Sequence, residues 1–225
     1  MQNKAYIILF KFLTKKYGLF QGSKRFLLKS LDLVYDIIYG TDTLIPIPLE
    51  ELTIQSDILD STDYQSTNIW QVKKLFANSL LKNPSEHTFV DVGCGKGKVL
   101  LEAAKHGFKK CIGIDFSDDL CRIAQKNSQI FQDGIFCDRI KIIKKDARHY
   151  KFDNDENLIF MFNPFGESSL KEVLNNIYNS LAKNPRKLLM IYHTPKYDLC
   201  KINNSFVEIS NTISNNFKFY SLNTE

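Results

Sequence analysis

The residues of this chain that could do chemistry stand one after another at the ends of short apolar runs. Asp91 closes the run Phe89-Val90-Asp91-Val92. Alternating glycines follow at Gly93, Gly95 and Gly97, then Lys98-Val99. Glycine admits φ > 0 and lets a ligand lie against the main chain. A helix starting behind the glycines offers unpaired N–H groups at its first turn. A carboxylate, a glycine loop and a helix start together make a nucleotide-type cofactor site. Asp115 closes a second run, Lys110-Cys111-Ile112-Gly113-Ile114-Asp115. It lies near the ~20-residue offset at which an acid meets ribose hydroxyls in such sites. Asp146 follows a third run, Ile140–Lys144, with Ala147 beside it. Asn163-Pro164-Phe165-Gly166 follows a fourth, Asn157–Phe162. A dinucleotide fingerprint, G-x-G-x-x-G, is excluded because Lys98 stands where its third glycine belongs.

The elements that must position these groups are strands and helices in alternation. Val99, Leu100, Ala103 and Ala104 recur at helical spacing between the first two runs. Ser117-Asp118-Asp119 cap a helix from Leu120 to about Asn127, with acids at its positive end. Ser169 to Ala182 reads as a helix with Leu170, Val173, Leu174, Ile177 and Leu181 on one face. Lys187 to Ile191 reads as a fifth strand, with Tyr192-His193-Thr194-Pro195 after it, at the edge where α/β sheets hold ligands. Phe206 to Leu222 alternates polar and apolar residues around Ser214-Asn215-Asn216, as a hairpin of two final strands does. Ile69 to Leu81 reads as an amphipathic helix ahead of the glycine loop.

The pattern D-x-G-x-G-x-G, with acids closing the next strands in order, resembles the first motifs of class I S-adenosylmethionine (SAM)-dependent methyltransferases. The resemblance covers about Tyr64 to His193. It implies an α/β fold: a Rossmann-like seven-stranded sheet with helices on both faces and its last strand antiparallel. It implies SAM as cofactor and S-adenosylhomocysteine as product. By the same resemblance Asp91, Gly93, Gly95, Gly97, Asp115, Phe116, Asp146 and Ala147 belong to the cofactor site, with Asp146 toward the adenine amino group. Asn163-Pro164-Phe165 is similar to the N-P-P-Y element of amino-directed enzymes. There the Asn oxygen accepts from a substrate amine and the aromatic ring packs on the developing cation. This implies catalytic roles for Asn163 and Phe165, with Asn163 also at the cofactor. The chain has one proline and Phe where that element has two prolines and Tyr. Tyr64-Gln65-Ser66-Thr67 is similar to a Tyr-x-x-Thr/Ser element of lysine methyltransferases of the Dot1 type, which implies that Tyr64 and Thr67 approach the methionine end of SAM. If the acceptor is a hydroxyl, a general base becomes useful, and His193 or Tyr192 stands nearest by strand-end logic.

Residues 1–63 read as a helical, basic extension and linker ahead of a methyltransferase domain at 64–225. Up to Gly40 the chain carries seven Lys and Arg against Asp32 and Asp36, and this excess equals the net charge of +5 of all 225 residues. Tyr6, Ile7, Phe10 and Leu13 fall at helical spacing, as do Phe26, Leu27, Val34, Ile37 and Ile38. Such basic amphipathic helices suit an anionic membrane surface or RNA. The favoured expectation is that their apolar faces cover the sheet and their lysines meet water. Pro46 and Pro48 mark an extended link.

Five cysteines without a C-x-x-C pair suggest reduced structural thiols in a cytoplasmic protein, and the four scattered histidines form no metal-ligand cluster. Tyr6 to Phe10 is too short for a signal peptide's apolar region, and no apolar run reaches the length of a membrane span. Three function classes fit. The leading one is methyl transfer to an amine, or a hydroxyl, of a protein, glycan or small molecule. The others are an RNA methyltransferase using the basic extension, and a non-catalytic SAM-binding domain.

Overall fold

The computed structural model describes residues 2–52, 64–130, 139–209 and 216–222. Seven strands form one sheet: β1 (Thr88–Val92), β2 (Lys110–Asp115), β3 (Arg139–Lys144), β4 (Glu156–Met161), β5 (Leu189–His193), β6 (Phe206–Ile209) and β7 (Phe217–Leu222). Their order is β3-β2-β1-β4-β5-β7-β6. The first five run parallel, and β7 pairs antiparallel with both β5 and β6. Every residue of β1 is buried. A central parallel strand is covered on both faces, which is why it reads as a continuous apolar run and not an alternating one. The turn of the expected final hairpin lies largely outside the described residues.

Helices flank the sheet: α1 (Gln2–Tyr17), α2 (Leu19–Leu28), α3 (Ser30–Tyr39), α4 (Ile69–Phe76), α5 (Lys98–His106), α6 (Asp118–Ile130), α7 (Glu167–Lys183) and the short α8 (Leu199–Ile202). On one face, Val72, Leu75 and Phe76 of α4 and Val99, Leu100, Ala103 and Ala104 of α5 pack with Phe89, Phe160 and Phe219 of the strands. On the other, Leu170, Val173, Leu174, Ile177 and Leu181 of α7 pack on Val90, Val92, Ile159 and Met161.

Three expectations are corrected. The helix expected over 69–81 ends at Phe76, because the Asn78 side chain caps the Leu80 N–H and starts a separate 3₁₀ turn at Ser79–Leu81. The fifth strand runs on to His193, so Tyr192 and His193 are strand residues facing opposite sides and not loop residues. In the extension the helices form, but their packed faces are rotated from the expected ones. Leu9 and Leu13 are buried in α1 while Ile7 and Phe10 are exposed. In α3 the buried face is Asp32, Leu33, Tyr35 and Asp36, and Val34, Ile37 and Ile38 face outward. Among the described residues no helix is long and apolar enough to cross a membrane, and no group of His, Cys, Asp and Glu could hold a metal.

Candidate active site

The strand order reverses between β1 and β4, where a doubly wound sheet opens a crevice at its carboxyl ends. A cavity of about 290 Å³ lies there. Tyr64, Thr67, Asp91, Gly93, Gly95, Asp115, Phe116, Asp146, Ala147, Asn163 and Phe165 all line it. Gly97 does not. With φ +85 it precedes α5 and leaves room for Ala124 of α6, whose Cβ would lie 3.3 Å from an added Cβ. Its part is helix packing.

The glycine loop is squeezed from two sides. Gly93 (φ +76) would carry a Cβ 2.5 Å from that of Pro164, and Gly95 (φ +54) would drive one into the Tyr64 ring. The loop's shape is held by Gly93 N and Cys94 N, which donate to Ile114 O at 2.8 and 3.0 Å. Asp115 joins the second strand end to the same loop. Its carboxylate accepts from Gly95 N at 2.9 Å and Ser117 N at 3.0 Å. Burial lifts Asp115 to about 6, against these backbone bonds. Each carboxylate oxygen still has acceptor capacity for a ligand hydroxyl. Asp91 is buried and has no hydrogen-bond donor among the described residues. Burial, and then the charge of Asp115, push it up to about 8. Among the described residues no cationic side chain pairs with either of these two buried carboxylates, so this part of the cavity favours a cation. That fits a ligand pairing a positive centre with ribose hydroxyls, as SAM does.

The extension closes the other side of this loop. Lys96 and Lys98, both buried, flank Gly97 and reach back to it: Lys96 Nζ lies 2.9 Å from Asp42, and Lys98 Nζ lies 3.2 Å from Asp32. Asp32 also accepts from Ile69 N at 2.6 Å, which ties α3 to the start of α4. Asp36 accepts from the Thr41 hydroxyl, the Thr43 hydroxyl and N–H, and Leu44 N, all within 2.9 Å. It thereby folds residues 41–44 into a strap. The strap presents Thr43 O to the Tyr64 hydroxyl at 2.5 Å and is pinned from α6 by Asn127, which exchanges hydrogen bonds with Asp42. The Tyr64 ring is set against Gly95 by this chain of contacts.

Asn163 (φ +41) stands at the far wall. Its Oδ1 accepts from the Tyr192 hydroxyl at 2.7 Å and from Lys196 N at 3.3 Å, and its Nδ2 donates to Thr194 O. The amide is fixed in orientation, with both acceptor positions of its oxygen engaged. Phe165 is buried beside it, and Phe160 and Phe162 complete an aromatic wall. Neither Tyr192 nor His193 lines the cavity. His193 is enclosed by the rings of Phe162 and Phe217, at 4.3 and 4.4 Å between centroids, and neither ring nitrogen has a hydrogen-bond partner among the described residues. Burial lowers it to about 4. Asp146 is gripped by the backbone and guanidinium of Arg148. Burial alone would raise it, but those bonds hold it below the usual carboxylate range.

Sequence reasoning missed Lys98, Phe162, Thr194 and Lys196 on the cavity wall, and Asp32, Asp36 and Asp42 behind it. The buried lysines on either side of Gly97 are plain in the sequence, but their partners are more than 50 residues distant.

Residues 89–184 match the family model described as a methyltransferase domain. A type II methyltransferase of Vibrio is 30% identical over 127 residues, which is 50% of this chain and 28% of that protein. A protein arginine N-methyltransferase of Chlamydomonas reinhardtii is 36% identical over 74 residues, 32% of this chain and 20% of that protein. The chain thus matches less than a third of the length of either relative. An RNA methyltransferase from Salinibacter ruber superposes with a TM-score of 0.54 at 15% identity, over 71% of this chain and 94% of that one. A protein of Pyrococcus horikoshii superposes at 0.51 and 16% identity, over 69% of this chain and 89% of that one. These likenesses are of fold.

Proposed function

We propose that this chain, which carries a methyltransferase domain at residues 89–184 on a class I methyltransferase fold, transfers the methyl group of SAM to an amine. SAM supplies a methyl activated on a sulfonium, so the protein's work is alignment and electrostatics. Asp91 would face the cationic methionine end, Asp115 the ribose hydroxyls, and Asp146 with Ala147 the adenine. Tyr64 and Thr67 would close over the methionine end.

The observation that carries the amine reading is the far wall. Asn163, Phe162, Phe165, Thr194 and Lys196 offer an oriented amide, two aromatic rings and no carboxylate or imidazole. A hydroxyl acceptor needs a base there. An amine needs to arrive neutral, and burial beside a sulfonium favours that form. The longer of the two bonds to Asn163 Oδ1, from Lys196 N at 3.3 Å, is the one an incoming N–H would replace. The Phe165 and Phe162 rings would pack beside the cation that develops.

The test is transfer of labelled methyl from SAM to protein, RNA, glycan and small-molecule pools of a cell lysate, scored separately. Asn163→Ala should cut turnover by ~10²-fold, the scale of removing one preorganised polar group from the transition state. SAM affinity should stay within about twofold, the mark of an interaction made only at the transition state. Label recovered in oxygen-linked methyl groups, or wild-type turnover in Asn163→Ala, would sink the amine reading. A second reading, an amine of RNA, is favoured by exposed Lys145 and Lys196 on the cavity wall. It requires label in the RNA pool and an affinity that falls steeply with salt.

A further inference from the structure

The rotated faces of the N-terminal helices leave an apolar surface that the methyltransferase reading does not use. Helices α2 and α3 follow one another with Lys29 between them. The bonds Lys29 N to Arg25 O and Leu33 N to Lys29 O carry the helical course across the joint. Counted at ~100° per residue, Leu19, Phe20, Leu31, Val34, Ile37 and Ile38 fall on one arc of ~120°. All six are exposed, Phe20 to 81% and Ile38 to 68%. The opposite arc carries Gly22, Asp32, Leu33, Tyr35 and Asp36, all buried. Helix α1 lies close along α2, where Gly22 packs so tightly that a Cβ would lie 2.6 Å from Thr14 Cα.

The exposed charge of this helical segment has one sign. Up to Gly40 the acids are Asp32 and Asp36, and both are buried and engaged internally, by Lys98 and by the 41–44 strap. Lys11, Lys15 and Arg25 are exposed. No acid of this segment meets solvent. An exposed apolar arc on a segment whose solvent-facing charges are all cations matches a surface that is anionic at its face and hydrocarbon beneath. Nucleic acid offers the anions but no counterpart to a row of Leu, Ile and Val.

We propose that α1–α3 lie in the interface of an anionic lipid bilayer, with Phe20, Leu31 and Ile38 among the acyl chains and the lysines at the headgroups. The cavity and its residues are not part of this contact, so it stands or falls independently of the methyl acceptor.

The experiment is flotation of the full chain with vesicles of phosphatidylglycerol mixed with phosphatidylcholine, against phosphatidylcholine alone and against duplex RNA. The expected result is binding to the anionic vesicles at least ~10-fold tighter than to the zwitterionic ones. Both Phe20→Glu/Leu31→Glu and Lys11→Glu/Lys15→Glu should lose ~10-fold or more in that binding, since the two terms act together. Both variants should keep wild-type SAM affinity, which reports folding. In a Trp70→Phe background, the indole of the Phe20→Trp variant should shift to the blue and be quenched by brominated lipid. An indole that stays in water overturns the proposal, as does vesicle binding that ignores the apolar substitutions. Binding to RNA without binding to vesicles overturns it in favour of a nucleic-acid arm, and binding to neither overturns it outright.

Discussion

With Asp91 at the cationic end of SAM, as proposed, binding would be a proton-release reaction. Asp91 is pushed from 3.8 to about 8, first by burial and then by Asp115. At pH 7 the carboxyl is therefore largely protonated. A sulfonium and an ammonium brought against it favour the ionised form, so binding draws its pKa down and expels a proton. The ionised fraction rises ~10-fold for each pH unit below 8, and the apparent SAM affinity should follow, gaining ~10-fold, or ~1.4 kcal/mol, between pH 6 and 7. Above 8 the gain should stop. Calorimetry in buffers of different ionisation enthalpy should count close to one proton released per SAM at pH 7. Asp91→Asn should bind more weakly and lose the pH slope. A wild-type affinity that is flat from pH 6 to 7, with no proton released, would refute the assignment of Asp91 to the cationic end.

The sign for stability is the reverse of the sign for binding. A folded pKa above the unfolded one means the native protein binds more protons between pH 4 and 8, so Asp91 weakens the fold as pH rises through that window. Asp91→Asn should therefore stabilise the protein at pH 7, with a ceiling of ~4 kcal/mol set by the shift. A variant that loses SAM affinity and gains stability is the signature of a functional carboxylate held at a cost to the fold.

Two further outcomes test the buried charges. Lys98→Met leaves Asp32 buried without its cation and should cost ~3–5 kcal/mol in urea unfolding. Adding Asp32→Asn should recover part of that, and a loss under ~1 kcal/mol would show that the pair is not insulated from water. His193 is lowered to about 4 by burial, so the unfolded chain binds its proton more readily. Its share of stability is intact above about 6.5 and is lost as pH falls toward 4, up to ~3 kcal/mol. His193→Phe should flatten the variant's own stability curve over that window, so the wild-type-minus-variant difference should fall as pH drops from about 6.5 toward 4. An unchanged difference would mean that the imidazole is hydrated.

The sheet was legible because its strands are buried on both faces and punctuated by acids and glycines. β2 begins and ends where its apolar run does, and the order of the strand-end acids is the order in which they meet at the cavity. Helix faces were harder. In α3 the residues that read as core, Val34, Ile37 and Ile38, lie outward, while two aspartates lie inward. Periodicity weighs side chains by polarity, and a carboxylate counts as surface until its partner is known. Asp32 finds its partner 66 residues away. No local pattern encodes such a pairing.

The acceptor end of the site is less legible for the same reason. His193 belongs to a strand that runs two residues further than its apolar letters suggest, so its ring turns into the phenylalanine layer instead of the crevice. The Asn163 oxygen is legible as an acceptor, but Tyr192, one position before His193, already donates to it. That bond fixes the direction in which the amide points. It leaves the weaker Lys196 bond as the exchangeable one. Substrate preference would then be set by how readily an incoming group displaces a backbone N–H. A neutral amine can do so by donating its own N–H, and an ether or thioether, having no N–H to donate, cannot.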